Sequence, residues 1–226
     1  DAQIIVEPPA TLAAQVDGFG NHLQVGRLES AHDNFSFVSS GMVMVDTARI
    51  NPAPAHPLYL RESELTSAGD AIKEFVSDVL RVSANLPALQ KARRLSDAVS
   101  QAMSYEKGAT DVSTTAEEAL AGGRGVCQDY AHVLVAACRR AGVPARYVNG
   151  FLIGEGQTHA WAEVHDGTCW HGLDPTNRRE VDCDYVTLSH GRDFADCPIE
   201  RGVFVGGASQ EMSVHVRVVD DASRTW

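Results

Sequence analysis

The spacing of apolar residues divides the chain into three stretches. Over residues 1–47 the pattern is short and strand-like. Gln3-Ile-Ile-Val-Glu7 stops at Pro8-Pro9, residues 12–16 and 22–28 flank the turn-rich Asp17-Gly-Phe-Gly-Asn21, and residues 35–38 and 42–45 are two further strand candidates. The middle is helical. Ile72, Phe75, Val76, Val79 and Leu80 recur at three- and four-residue steps, and Ala88, Ala92, Leu95, Val99 and Ala102 do the same after Pro87. Thr114-Thr-Ala-Glu117 has the form of a capping box, opening a short helix that Gly122-Gly123 ends. A longer helix over about residues 126–141 is stopped by Gly142 and Pro144. Strands return at residues 145–153, 159–165, 168–173, 180–188 and 212–219. Helices followed by an antiparallel sheet make an α+β fold. Residues 48–57 hold three prolines in ten positions and read as a connector. The pattern therefore predicts a β-rich domain with its linker over 1–57 and a helix-on-sheet domain over 58–226.

Composition narrows the classes. The 226 residues, 44% hydrophobic and 22% charged, are enough for a sizeable core without staples. A net charge of −11 works against binding nucleic acid or an anionic membrane surface. No apolar run reaches the length of a membrane span. The five cysteines, odd in number and irregularly spaced, make a poor disulfide framework and fit a reducing compartment, so a cytoplasmic location is expected. Residue 1 is Asp rather than Met, and a removed signal segment would leave no trace. Nothing in the sequence points to an oligomeric state.

Candidate chemistry starts at Cys127. It follows Gly122-Gly-Arg-Gly125 and opens the long helix. A thiol at a helix N-terminus feels the positive end of the dipole, which favours the thiolate, and glycines before it leave room for a substrate. Cys127, Ala131, Leu134 and Cys138 share one helical face, whose natural partner is the sheet. Taken alone, a small buried core cysteine explains Cys127 as well. The next signal changes the weighting. Asp166-Gly167 reads as a two-residue hairpin turn, which would pair His165 with Thr168, Glu163 with Trp170, Trp161 with Gly172 and His159 with Asp174. Directly opposed residues share a face, so one turn puts an imidazole beside a carboxylate. A carboxylate that fixes the ring leaves its other nitrogen for a nucleophile, and Cys127 over that sheet completes a cysteine–histidine–aspartate triad. An ordinary cross-strand His159–Asp174 pair is the structural alternative.

These residues carry a family resemblance. Gly123-Arg-Gly-Val-Cys-Gln-Asp-Tyr-Ala-His132, Gly142-Val-Pro-Ala-Arg-Tyr-Val-Asn-Gly150, His159-Ala-Trp-Ala-Glu-Val164 and Leu173-Asp-Pro-Thr176 resemble the bacterial transglutaminase-like superfamily of cysteine proteases with a papain-like core. Gly191-Arg-Asp-Phe-Ala-Asp196 and Arg201-Gly-Val-Phe204 are similar to the same group. The match covers most of residues 85–219, and the N-terminal stretch looks like the β-rich domain that precedes the core. Similar sequences begin further upstream, so a leading strand or two is expected outside this chain. The sequence departs at Gln128, where arginine is frequent. The resemblance implies Cys127 as nucleophile, His159 as base and Asp174 as orienting acid, and no cofactor. Nothing matches the calcium sites of animal transglutaminases.

The expected chemistry is attack on an amide carbonyl of a peptide or protein, through a thioester. The backbone N–H of Cys127 is one oxyanion donor; Gln128 and Tyr105 are candidates for a second. Trp161 either walls the site or fills the helix–sheet core, and core filling suits its spacing better. Asp129 reads as a helix-start acid. His132 reads as a polar residue at a domain surface or interface. Water as acceptor gives a protease or amidase, the first expectation; an amine gives a transglutaminase. A non-enzymatic peptide-binding scaffold is the other class. A metal reading from Cys169, His171, Cys183 and Cys197 has spacings of 2, 12 and 14, unlike paired zinc ligands, so no metal is expected.

Overall fold

In the first stretch the alternation produces four strands, β1 (Ala2–Glu7), β2 (Leu12–Val16), β3 (His22–Gly26) and β4 (Ser36–Gly41). β1 pairs with β4 and β2 with β3, both antiparallel. The β2–β3 turn is held by the Asp17 carboxylate, which accepts the N–H groups of Phe19 and Asn21 at 2.8 Å each. Residues 42–45 form no strand. The computed structural model describes residues 2–46, 51–81, 85–154, 156–207, 209 and 211–219.

Residues 1–46 are one compact unit and residues 47–226 another. The proline-rich segment, grouped with the N-terminal stretch in the sequence reading, falls with the larger unit. Asn51 bridges Trp170, and its carbonyl accepts the Trp170 N–H at 3.1 Å. A residue before proline is extended, and its carbonyl is free to accept a bond from a sheet edge. Residues 48–50 of the expected connector lie outside the described residues.

The larger unit runs α1 (Asp70–Leu80), α2 (Ala88–Ala102), β5 (Ser104–Tyr105), α3 (Ala116–Gly122), β6 (Arg124–Gly125), α4 (Cys127–Arg140), β7 (Ala145–Leu152), β8 (Thr158–His165), β9 (Trp170–Asp174), β10 (Arg179–Glu180) and β11 (Tyr185–Gly191). Five strands form one antiparallel sheet in the order β10-β9-β8-β7-β11. The fold is α+β. No helix among the described residues is long and apolar enough to cross a membrane.

α4 is the centre of the core. Every residue from Asp129 to Arg139 is buried, because α1, α2 and α3 pack on it as well as β7 and β8. The single packed face expected from the sequence is thus replaced by enclosure. Leu95, Val99, Ala131 and Leu134 meet Ala160, Ala162, Val164 and Leu173 of the sheet in one cluster. Each fully buried leucine there contributes about 1.5–3 kcal/mol of apolar transfer. The other face of the sheet carries a smaller cluster of Val148, Leu152, Trp161 and Tyr185.

Four local expectations shift. The capping box is Thr115 with Glu118, one residue later than the sequence pattern indicated. Glu117 is occupied elsewhere: its carboxylate accepts the Ala71 and Ile72 N–H groups at 2.6 and 3.1 Å, at the start of α1. The β8–β9 hairpin pairs His165 with Trp170 and Ala162 with Leu173, two positions out of the expected register. The Asp166 carboxylate takes the Thr168 and Cys169 N–H groups at 2.7 and 2.9 Å, which moves the turn's centre to Gly167-Thr168, with Gly167 at φ 110°. The stretch at 180–188 is split between β10 and β11, and residues 212–219 form no strand.

Candidate active site

Cys127 is the first residue of α4 and partly buried. The turn before it is fixed by Asp129, whose Oδ2 accepts the Val126 N–H at 2.7 Å and the Thr110 hydroxyl at 2.7 Å. A side chain at Gly125 would collide with that carboxylate, so the glycine is needed for the turn. Burial raises the Asp129 carboxyl above its ordinary range, against the pull of the Thr110 and Val126 bonds. The short parallel pair of β5 with β6 sets Tyr105 beside Gly125, and so beside the helix start.

His159 lies on β8 opposite Gly150 and is 2% exposed. Its Nε2 sits 2.8 Å from Asp174 Oδ2. With Nε2 engaged by Asp174, Nδ1 is the ring's second nitrogen, and the Cys127 thiol shares the cavity with the ring and acts on its charge. Burial opposes the charged ring, but the bonds to Asp174 and Cys127 outweigh it and raise His159 to about 10.

Asp174 is fully buried at the end of β9. Its Oδ1 accepts the Thr176 and Asn177 N–H groups at 2.9 and 3.2 Å. Its Oδ2 accepts the Tyr185 hydroxyl at 2.7 Å and the Asn177 amide at 2.9 Å as well as the imidazole. Burial alone would raise this carboxyl; the His159 bond and charge, then Tyr185 and Asn177, bring it below the ordinary carboxylate range. The loop after it is anchored to α2, where the Ser100 hydroxyl reaches the Pro175 carbonyl at 2.5 Å and Arg178 Nη2 donates to the Ser100 carbonyl at 3.1 Å. Arg178 holds a left-handed backbone at φ 54°, a strained conformation that keeps this loop tight.

Cys127, His159 and Asp174 are thus brought together, though by a different register from the one expected. His159 and Asp174 are diagonal across the hairpin, and a shift of two leaves both on the same face. Cys127 and His159 line a cavity of about 420 Å³, whose rim includes Tyr105, Lys107, Gln128 and Gln157. Gln128 turns its amide to the Val112 carbonyl at 3.4 Å.

Trp161 is fully buried but not in the helix–sheet core; it lies beside His159 on the sheet face away from that core, its ring stacked on the imidazole at 6.2 Å between centroids. A side chain at Gly150 would strike Trp161 and the Val186 carbonyl, so this glycine makes room for the indole. Glu163, on the same strand, is taken by Arg146 at 2.7 Å. His132 is fully buried rather than at a surface: it packs on Tyr147 at 4.9 Å and its Nε2 accepts the Phe194 N–H at 3.1 Å. Burial pushes its ring down to about 4, so it is neutral. Sequence reasoning missed Tyr185 and Asn177. Asn177, three residues after an aspartate in a proline turn, carried a local signal; Tyr185 carried none, because it reaches Asp174 from β11, three strands away.

The model of the transglutaminase-like superfamily matches residues 76–175, a span that holds all three residues. An uncharacterized protein of Mycobacterium tuberculosis is 30% identical over 257 aligned positions, covering 96% of this chain and 80% of the relative. The chain belongs to the transglutaminase-like superfamily. A second uncharacterized relative, from Mycobacterium leprae, is 27% identical and covers 93% of this chain and 82% of its own length. Among solved structures, a candidate cysteine protease from Cytophaga hutchinsonii shares the fold with a TM-score of 0.68 at 24% identity, over 88% of this chain and 72% of that one. The matched span runs from within α1 to just past β9, so it holds α2 to α4 and three of the sheet's five strands.

Proposed function

We propose that this protein is a cysteine hydrolase of amide bonds, a protease or amidase, in which Cys127 is the nucleophile, His159 the general base and acid, and Asp174 the group that orients the ring. The observation that carries this reading is the setting of His159: Nε2 on a buried, five-donor carboxylate, and the ring sharing a cavity with a thiol at a helix start. Family membership and the open cavity around that thiol add support.

His159 takes the proton of the Cys127 thiol as general base. The thiolate adds to the amide carbonyl, and the displaced electron pair settles on oxygen. The Cys127 N–H, a first-turn amide without an intrahelical partner, and the Tyr105 hydroxyl at the cavity rim are the donors assigned to that oxyanion. His159 then gives its Nδ1 proton to the leaving amine as the C–N bond breaks, and a thioester remains. Water, losing a proton to the same nitrogen, attacks the thioester, releases the acid and restores the thiolate. A primary amine in place of water would give transamidation by the same steps.

The test is a peptide library incubated with the full chain, with and without a primary amine, and read by mass spectrometry. The reading expects hydrolysed products from the wild type and none from Cys127→Ala. Equal cleavage by the two proteins would end it, and products carrying the amine would reassign the acceptor.

A further inference from the structure

A second set of chemistry-bearing side chains lies at the tip of the β8–β9 hairpin, and none of them lines the cavity of Cys127. Cys169 Sγ is 3.2 Å from His171 Nε2, His171 Nε2 is 2.8 Å from Asp166 Oδ2, and Cys169 Sγ is 3.8 Å from the same oxygen. Sulfur, nitrogen and oxygen thus form a small triangle with no other atom of the set between them. Tetrahedral zinc with bonds of about 2.0–2.3 Å places its ligand atoms about 3.3–3.6 Å apart, so the triangle matches one face of such a tetrahedron to within about half an ångström.

The donors are also held in place. Asp166 Oδ1 is committed to the Thr168 and Cys169 N–H groups and to the Thr168 hydroxyl, at 2.7, 2.9 and 2.7 Å, which leaves Oδ2 aimed at the cluster. His171 is fixed on β9 opposite Val164, and Cys169 is 8% exposed within the turn. The side chains of His171 and Asp166 are 27% and 25% exposed, so solvent reaches the fourth corner. Thiolate, imidazole and carboxylate together suit a borderline-soft ion; an all-oxygen set would suit calcium or magnesium.

We propose that Asp166, Cys169 and His171 bind a zinc-class divalent ion through three protein ligands, with water in the fourth position. On binding, the thiol proton leaves to solvent, and the ring keeps one proton, on Nδ1, while Nε2 takes the metal. Cys183 and Cys197, which the metal reading set aside above grouped with Cys169 and His171, are not part of this site. Cys197 faces the Asp193 carbonyl at 3.5 Å. Cys183 is exposed between Asp182 and Asp184, and Arg179 already bridges both carboxylates. Trp170, the first residue of β9 and between Cys169 and His171 in the chain, receives the Asn51 bridge, so the ion would brace the point where the entering chain meets the sheet.

Cobalt(II) reads this geometry directly. In the full-length Cys127→Ala protein, which removes the competing thiol, cobalt(II) should give a thiolate-to-metal charge-transfer band and the intense visible bands of a tetrahedral site. Both should saturate at one equivalent and be displaced by zinc. Cys169→Ser in that background should remove the charge-transfer band. His171→Ala, a more exposed change, should weaken zinc binding by about 100-fold or more. No band in Cys127→Ala overturns the proposal, as does a band that survives Cys169→Ser or is lost with Cys183→Ser.

Discussion

Two cysteine–histidine–aspartate groups occupy opposite ends of the same hairpin strands, and they are wired differently. In Cys127–His159–Asp174 the acid holds one ring nitrogen, Nε2, and leaves the second open on the side of the cavity that the thiol shares. In Cys169–His171–Asp166 acid and thiol converge on one nitrogen. The first arrangement can pass a proton from sulfur to a leaving group, because the carboxylate holds one nitrogen while the other works. In the second both partners meet at Nε2, which leaves no ring between them to relay a proton and suits the shared cation proposed above. The contrast teaches that residue types do not define such a site. Which nitrogen each partner uses decides between proton transfer and ligation.

The largest effect separates the two groups outright. Cys127→Ala should lower the amidase rate by about 10⁵–10⁶-fold, while Cys169→Ser leaves it unchanged, as single-turnover assays on the two variants will report. Next, Asp174→Asn should cost about 10²–10⁴-fold in kcat, since it disturbs the ring's tautomer and charge, whereas Asp166→Asn should not slow turnover. The same pair tests the pH profile. His159 is held protonated up to about 10, so kcat/KM should fall on the alkaline side near pH 10, where the ring can no longer protonate the leaving amine. Removing the Asp174 charge should move that limb down toward about 6.5, and Asp166→Asn should leave it in place. Tyr105→Phe should reduce kcat by about 10²-fold with little change in KM, if the hydroxyl serves the oxyanion as assigned. The smallest effect is structural: Asp166→Ala, which frees the turn's N–H groups, should cost about 0.5–1.5 kcal/mol in urea unfolding without touching activity.

How much of this was legible beforehand depends on the range of each signal. The helix start at Cys127 and the same-face placement of His159 and Asp174 were readable, because side-chain alternation has a period of two and tolerates a slip of two. The slip itself was hidden: Asp-Gly favours a two-residue turn, but the Asp166 carboxylate bonding forward to Thr168 and Cys169 moved its centre by one residue. Trp161 was assigned to the helix–sheet core because a large apolar residue in a strand reports burial and not which side is buried. The structure puts Ala160 and Ala162 under α4 and the indole on the other face. His132 was misread because the sequence cannot show a helix enclosed on all sides. At the hairpin tip Cys169 and His171 were weighed as ligands and set aside on spacing; Asp166 was missed for the same reason as the register, since only the true turn brings it to them.

Glu117 carries one more consequence. An acid in α3 satisfies the opening amides of α1, 46 and 45 residues earlier in the chain. Gly69, just before α1, lies against that carboxylate so closely that any larger residue would push it away. The first helix therefore cannot be completed by its own neighbourhood. A fragment that stops short of residue 116 should leave two backbone donors exposed and show weak amide-exchange protection at Ala71 and Ile72. Any permutation or chimera of this protein should therefore keep the start of α1 and Glu117 of α3 together.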